Sequence, residues 1–157
     1  MNDRWKLVFP NQFTGVKKGS RLPVIVSREK IFGKTSHTQM VFSDLATDKQ
    51  RANIVAWLSS THFTECLEYL AVQNKVKRLS GGYELLPEYA ERLVIPKAVL
   101  ESEELFNLSK DLLKKKTVPL NELWNIDAKI EGLVNPDKKG TLFVEVVPVI
   151  SGKIQIS

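Results

Sequence analysis

The sequence predicts an α+β fold, in which a small β-rich N-terminal part packs on a central helix and is followed by a helical region and a C-terminal β-hairpin. Three changes of pattern along the 157 residues predict it. Short β-branched runs separated by polar, glycine-bearing stretches occupy residues 4–43. From Thr47 onward apolar residues recur at steps of three and four, and two apolar runs return in the tail. The length fits one ordinary domain that can bury a real core.

The β-rich part rests on three runs, Trp5–Phe9, Leu22–Val26 and Gln39–Phe42. The first closes at Pro10–Asn11, a pair typical of turns, and Pro23 in the second predicts the start or the edge of a strand. The tail runs 141–149 and 153–156 are joined across Pro148–Gly152, which predicts the C-terminal hairpin.

The central helix begins at Thr47, a good N-cap residue, with Asp48 suited to the positive end of the helix dipole. Apolar residues at helical spacing then predict one buried face: Ile54, Val55, Trp57, Leu58, Phe63, Cys66, Leu67 and Leu70. The Ser-Ser-Thr run at 59–61 either splits this stretch into two helices or bends one. A short helix is predicted at 87–93.

Two further helices are predicted after Pro96. The first covers about 98–115 on the strength of Val99, Leu100, Leu105, Leu108, Leu112 and Leu113. The second follows Pro119 and stops near Asn135–Pro136; its apolar residues are Leu120, Leu123, Trp124, Ile126, Ile130 and Leu133.

Composition restricts the classes of protein. Hydrophobic residues make up 43% and charged residues 26%, the single cysteine excludes an internal disulfide framework, and no apolar run is long enough for a membrane span. Asp3, Arg4 and Lys6 interrupt any signal-peptide pattern, so we expect the cytoplasm.

The net charge of +5 is unevenly spread. Residues 1–35 contain eight Lys/Arg against two acidic residues, a local excess of six that exceeds the charge of the whole chain. A localised positive field attracts an anion, although two solvated basic loops are the alternative reading.

The motifs of common catalytic and metal sites are not found in the sequence. Gly81–Gly82 lacks the strand and helix context of a phosphate-binding loop, so we expect no nucleotide chemistry there. His62 and Cys66 stand four residues apart, but zinc needs four ligands and His37 is the only other histidine. A buried cysteine beside a surface histidine is the favoured interpretation. We therefore expect no catalytic residues, no metal site and no cofactor in this chain, although a site assembled from scattered residues has no sequence signature.

The basic segments carry the chemistry of nucleic-acid contacts. Lys and Arg neutralise phosphates, and Asn, Gln and Arg pair with base edges in the major groove. The predicted DNA contacts lie in two polar loops and a later basic cluster: Lys17, Lys18, Arg21, Lys34, Gln39, Lys75, Lys77 and Arg78.

A series of short motifs in the middle of the chain resembles the target recognition domains of bacterial N6-adenine DNA methyltransferases, and is similar also to those of Type I specificity subunits. The matching residues are Ala56–Trp57–Leu58–Ser59–Ser60, Phe63, Leu67, Gly81–Gly82–Tyr83, Pro87, Leu93 and Ile95–Pro96, preceded by the segment 43–48. The resemblance covers roughly residues 38–100. It departs from the family pattern at Ser59, where the family usually has Asn, and in the C-terminal tail.

The catalytic half of such an enzyme would bring a glycine-rich cofactor loop and an (N/D)-P-P-(Y/F) motif. This chain has neither, since Asn135–Pro136–Asp137 lacks the second Pro and the aromatic residue. The resemblance therefore implies a recognition domain without its catalytic half, as a fragment or a separate subunit of a restriction-modification system. S-Adenosylmethionine is expected only in the missing catalytic domain.

These observations predict sequence-specific binding of double-stranded DNA by residues 1–97, with 98–157 as a helical extension and hairpin, or one compact unit in place of the two. The expected partners are duplex DNA and a methyltransferase or nuclease catalytic domain or subunit. The alternative is a protein-protein interaction module that docks a partner through its C-terminal helices.

Overall fold

Helix α1, Asp48–Leu58, is the centre of the computed structural model, which describes residues 47–66, 94–114 and 118–135 and, elsewhere, the backbone of seven short strands. It begins as the sequence predicts, with Thr47 as the N-cap. The Thr47 hydroxyl accepts from the Gln50 amide at 3.1 Å, and the Gln50 side chain accepts from the Thr47 amide at 3.0 Å. This reciprocal capping box fixes where the helix starts.

Helix α1 is buried on every side over Ala52–Leu58. The predicted burial of Ile54, Val55, Trp57 and Leu58 is confirmed, but Asn53 lies in the same dry environment at 0% exposure. A helix buried all round packs against neighbours on several faces.

The Ser-Ser-Thr run divides the chain into two helices. α1 ends at Leu58 with Ser59 as its C-cap, and residues 61–66 are helical again. Phe63 in this 61–66 segment is buried, as predicted, whereas Cys66 is exposed and its predicted place on the buried face is wrong.

The predicted single helix over 98–115 is wrong. Strand β6 (Val94–Pro96) leads into α2 (Lys97–Leu100), and Ser102 then caps a separate helix, α3 (Glu103–Ser109), through a 3.0 Å bond from the Leu105 amide. A 3₁₀ turn, Lys110–Leu113, follows. The break arises because Ser102 and the two acidic residues after it favour a helix start.

Helix α4, Leu120–Val134, follows Pro119 and ends at Asn135, as predicted. The short helices α2 and α3 contact α1 and also α4, so they lie between the two longer helices. The core is formed by residues from all of these elements: Leu58, Phe63, Ile95, Val99, Leu105, Leu112, Ile126 and Ile130.

Ion pairs tie the exposed ends of these helices together. The Lys49 ammonium lies 3.1 Å from a Glu103 carboxylate oxygen, which joins the start of α1 to the start of α3. Lys129 pairs with Glu104, which joins α4 to α3. Exposed pairs of this kind contribute little each, so the buried contacts carry most of the stability.

Elsewhere along the chain the structure describes seven strands: β1 (Lys6–Pro10), β2 (Gln12–Thr14), β3 (Ile25–Ser27), β4 (His37–Val41), β5 (Gly82–Glu84), β7 (Val146–Pro148) and β8 (Ile154–Ile156). One sheet has the order β3-β1-β4-β8, and two pairs join β2 to β5 and β6 to β7, all antiparallel. Among the described strands, β7 and β8 thus pair with β6 and β4 rather than with each other.

The α+β fold class as a whole stays a prediction, because most of the N-terminal part and the tail lie outside the described residues. The same is true of the predicted helix at 87–93 and of Leu67 and Leu70. Within the part of the chain that the structure describes, no helix has both the length and the apolar character to span a membrane.

Candidate functional site

The predicted DNA contacts fall almost entirely outside the described residues. Lys17, Lys18, Arg21, Lys34, Lys75, Lys77 and Arg78 all do so. Gln39 lies in β4, where its backbone is in register with Val8 on one side and Gln155 on the other. The position of Gln39 is therefore known along the sheet, and the DNA interface itself stays a prediction.

The structure does describe much of the motif series that resembles the recognition domains. The Trp57 indole Nε1–H donates to the Val94 carbonyl at 3.0 Å, although 37 residues separate them. The Trp57 and Phe63 rings have centroids 6.1 Å apart with planes tilted by 59°, a favourable aromatic arrangement. Ile95, which follows Val94 in strand β6, is completely buried. The Trp, Phe and Ile-Pro positions thus belong to one core.

The serine pair organises the turn between the two helices. The Ser59 hydroxyl donates to the Val55 carbonyl at 2.8 Å and satisfies a carbonyl at the end of α1. The Ser60 hydroxyl donates to the Trp57 carbonyl at 2.6 Å and accepts from the Phe63 amide at 3.2 Å. Ser60 therefore bonds the last turn of α1 and caps the 61–66 segment, so its hydroxyl links the backbone of Trp57 to that of Phe63.

Asn53 is a buried polar residue that the sequence analysis missed. Its side-chain amide donates to the carbonyls of Leu100 and Ser102, both at 3.0 Å, and its carbonyl accepts from the Ser109 hydroxyl at 3.2 Å. One side chain thereby satisfies the backbone at the α2–α3 break. Its position as a lone asparagine inside the apolar run 52–58 is the sequence feature that indicates its burial.

The burial predicted for Cys66 is wrong, and His62, predicted at the surface, is half-buried. The His62 side chain is 22% exposed, and its Nε2 lies 2.5 Å from Glu131 Oε2 on α4. Cys66 is the exposed one. The His62 ring lies against α4 because the Glu131 carboxylate of that helix is its hydrogen-bond partner.

The same corner contains a second contact to α4. The Thr61 amide donates to Asp127 Oδ1 at 3.4 Å, so the start of the 61–66 segment is held at two successive turns of α4. The hydrogen bond from His62 lowers the pKa of Glu131 below its ordinary value, and one from Asn135 adds to this. Among the described residues no group of three or more His, Cys, Asp or Glu is placed to hold a metal ion.

Helix α4 presents two of the six apolar residues that predict it to solvent. Ile126 and Ile130 are buried, but Trp124 is 59% exposed and Leu120 53% exposed. At about 100° per residue, Trp124 lies nearly opposite Ile126 around the helix. The six apolar residues that predict this helix therefore do not share one side of it, and Leu120 and Trp124 lie on the exposed side.

No protein-family model matches the chain, and no curated protein matches it either.

Proposed function

We propose that this chain is the DNA target recognition part of a bacterial N6-adenine methyltransferase or restriction-modification enzyme, and that it binds specific double-stranded sequences while a partner carries out the chemistry. The observation that carries the proposal is the joint core of the motif residues. The resemblance includes Trp57, Phe63 and Ile95, all of which are buried; the Trp57 and Phe63 rings pack together, and Trp57 donates a hydrogen bond to the Val94 carbonyl beside Ile95.

The distribution of charge supports the same proposal. The helical part, residues 47–66, 94–114 and 118–135, contains six Lys/Arg and nine Asp/Glu, a net charge of −3. The whole chain is +5, so the remaining residues together carry +8. Duplex DNA is a polyanion, and a chain whose positive charge is concentrated outside the described helices meets it with that basic portion.

In the proposed mechanism, different residues position the protein on the duplex and recognise its bases. Lys17, Lys18, Arg21 and Lys34 neutralise phosphates and set the register of the protein on the duplex, while Gln39 is suited to a bidentate contact with adenine in the major groove. The basic residues Lys75, Lys77 and Arg78 add phosphate contacts. The motif core is the scaffold behind these loops and does not itself touch the bases.

The partner in this proposal is a catalytic domain or subunit that binds S-adenosylmethionine and flips the target adenine. The chain itself contributes no catalytic residue and works in the cytoplasm. Its contribution is to bring the catalytic half to the correct site.

Selection from a pool of randomised duplexes tests the proposal. We expect the purified chain to enrich a short shared sequence, and Gln39→Ala to relax the preference at one position of it, while Lys17→Ala with Lys18→Ala weakens binding to all sequences alike. A pool that shows no enriched sequence, at a salt concentration where the duplex still binds, would overturn specific recognition.

A second candidate function is protein docking through α4, and the exposure of Trp124 favours it. A large aromatic side chain that is 59% exposed on a helix otherwise anchored in the core is typical of a partner contact. Size-exclusion chromatography with and without duplex DNA separates the two candidates. DNA recognition predicts an earlier peak only with the duplex, and docking alone predicts a profile that the duplex does not change.

A further inference from the structure

The outward side of α4 carries a row of apolar residues. Leu120, Trp124 and Ala128 follow one another at four-residue steps, which places them along one side of the helix. All three are exposed, at 53% for Leu120 and 59% for Trp124, while Ile126 and Ile130 face the core. We call the outward row, Leu120, Trp124 and Ala128, the Trp124 face.

The two flanks of the Trp124 face differ in charge. Successive positions are about 100° apart around the helix, so Asp127 and Glu131 lie on one side of Trp124. Asn121 and Asn125 lie on the other side and are exposed. The face therefore has an acidic flank and a neutral amide flank.

The acidic flank is held in place by the neighbouring helical segment. The Thr61 amide bonds Asp127 Oδ1 at 3.4 Å, and His62 Nε2 lies 2.5 Å from Glu131 Oε2. Both carboxylates are thereby positioned before any partner arrives. Glu131 is also kept ionised to lower pH than an unperturbed glutamate, since its pKa is lowered by the hydrogen bond from His62. Preorganised charge of this kind favours a partner with fixed cations.

The α4 helix of a second copy would bring no cation to this flank. Two copies paired antiparallel through the Trp124 face bring like flanks together, so Asp127 and Glu131 of one copy meet the same carboxylates of the other. Two copies paired parallel place the carboxylates against Asn121 and Asn125. The nearest cation on α4, Lys129, already pairs with Glu104. Neither arrangement brings a cation of α4 to the carboxylates.

We propose that the Trp124 face docks a basic amphipathic helix of a partner protein. Its apolar residues cover Leu120, Trp124 and Ala128, and its Lys or Arg residues lie along Asp127 and Glu131. Gly132, exposed one turn beyond Ala128, has nothing within 4 Å of the position of a Cβ, so a partner backbone can approach closely at that end. The inference rests on the second candidate function, docking through α4, and names the chemistry of the occupant.

Two synthetic helical peptides test the proposal, one of Leu and Lys and one of Leu and Glu with leucines at the same positions. Binding of each labelled peptide is measured by fluorescence anisotropy without DNA. We expect the Leu/Lys peptide to bind. Trp124→Ala should lower its affinity about tenfold or more, as for a central aromatic anchor. Leu108→Ala is the control, since Leu108 is likewise a large exposed apolar residue, at 43%, but lies on α3.

The charge requirement is tested separately by Asp127→Asn with Glu131→Gln. These changes remove both charges and leave acceptor oxygens for the Thr61 amide and the His62 ring, so both hydrogen bonds keep an acceptor without the charge. We expect the Leu/Lys affinity to fall several-fold and to lose most of its dependence on salt. Far-ultraviolet circular dichroism checks that each variant is folded.

The possible failures are distinguishable. If both peptides bind equally and Trp124→Ala abolishes the binding, docking through α4 is supported. The proposal that the docked helix is basic is then overturned. No binding of either peptide, or binding that Trp124→Ala leaves unchanged, would overturn docking at this face. Self-association of the wild-type chain in sedimentation that Trp124→Ala abolishes would assign the face to a second copy instead.

Discussion

The Ser109 hydroxyl donates a hydrogen bond to the Asn53 side chain at 3.2 Å, and both residues are completely buried. The same asparagine donates to the carbonyls of Leu100 and Ser102. A buried polar group is costly unless its hydrogen bonds are made, and here both polar side-chain atoms of Asn53 have a partner. The contact fixes α1 against the break between α2 and α3.

Asn53→Ala is expected to lower the free energy of unfolding by about 2–4 kcal/mol, because it removes three hydrogen bonds and leaves buried partners unpaired. Urea unfolding followed by circular dichroism measures it. Asn107→Ala, an exposed asparagine on α3, is the control and we expect a change within about 0.5 kcal/mol. An effect of Asn53→Ala no larger than that of the control would contradict the role given to this residue.

Ser109→Ala is expected to cost about 1 kcal/mol, because it removes one of the three bonds of Asn53. The double variant with Asn53→Ala should lose less than the sum of the two single losses, since the Ser109 bond is already gone once Asn53 is removed. Strict additivity in the double-mutant cycle would show that the two side chains do not interact.

Trp57→Phe is expected to lower the free energy of unfolding by about 1–3 kcal/mol, since it removes the indole bond to the Val94 carbonyl and leaves a gap beside Phe63. Trp124→Phe is the matched control and should change little, because Trp124 is 59% exposed. Thermal melts of both variants give the comparison. Equal loss of stability in the two would show that Trp57 is not the link between α1 and β6.

The Glu131 carboxylate is expected to make the stability of the 61–66 contact depend on pH. Its pKa in the folded state is lowered by the hydrogen bond from His62, so its contribution is present above its ordinary pKa of 4.5 and is lost as the pH falls through the lower folded value. The difference in unfolding free energy between wild type and Glu131→Gln should therefore shrink below about pH 4.5. A difference in unfolding free energy that stays constant between pH 3 and 6 would contradict a stabilising role for the His62–Glu131 hydrogen bond.

The helix starts were predictable because their signals are local. Thr47 caps α1 through its own side chain and that of Gln50, and Pro119 precedes α4, so neighbouring residues alone determine both boundaries. Ser102 carried the same kind of signal, with acidic residues after it, but the apolar residues on either side matched one helical period and concealed the break.

The arrangement around the helices was not predictable in the same way. Periodicity gives the spacing of apolar residues but not the side that faces the core when they lie on both sides, as Trp124 and Ile126 do on α4. The inward position of His62 depends on Glu131, which lies 69 residues away. The role of Asn53 depends on carbonyls about 50 residues along the chain. Long-range partners decide these features, and one sequence does not reveal them.

The dependence of DNA affinity on salt tests recognition by the basic N-terminal loops most directly. For the wild-type chain we predict that the logarithm of the association constant falls linearly with the logarithm of salt concentration. Lys17→Ala with Lys18→Ala should reduce the slope by up to about 2, since each duplex phosphate contact contributes about 0.9. The charge-matched control, Lys110→Ala with Lys114→Ala, should leave it unchanged. A wild-type affinity that ignores salt, or an equal slope in both double variants, would contradict the account.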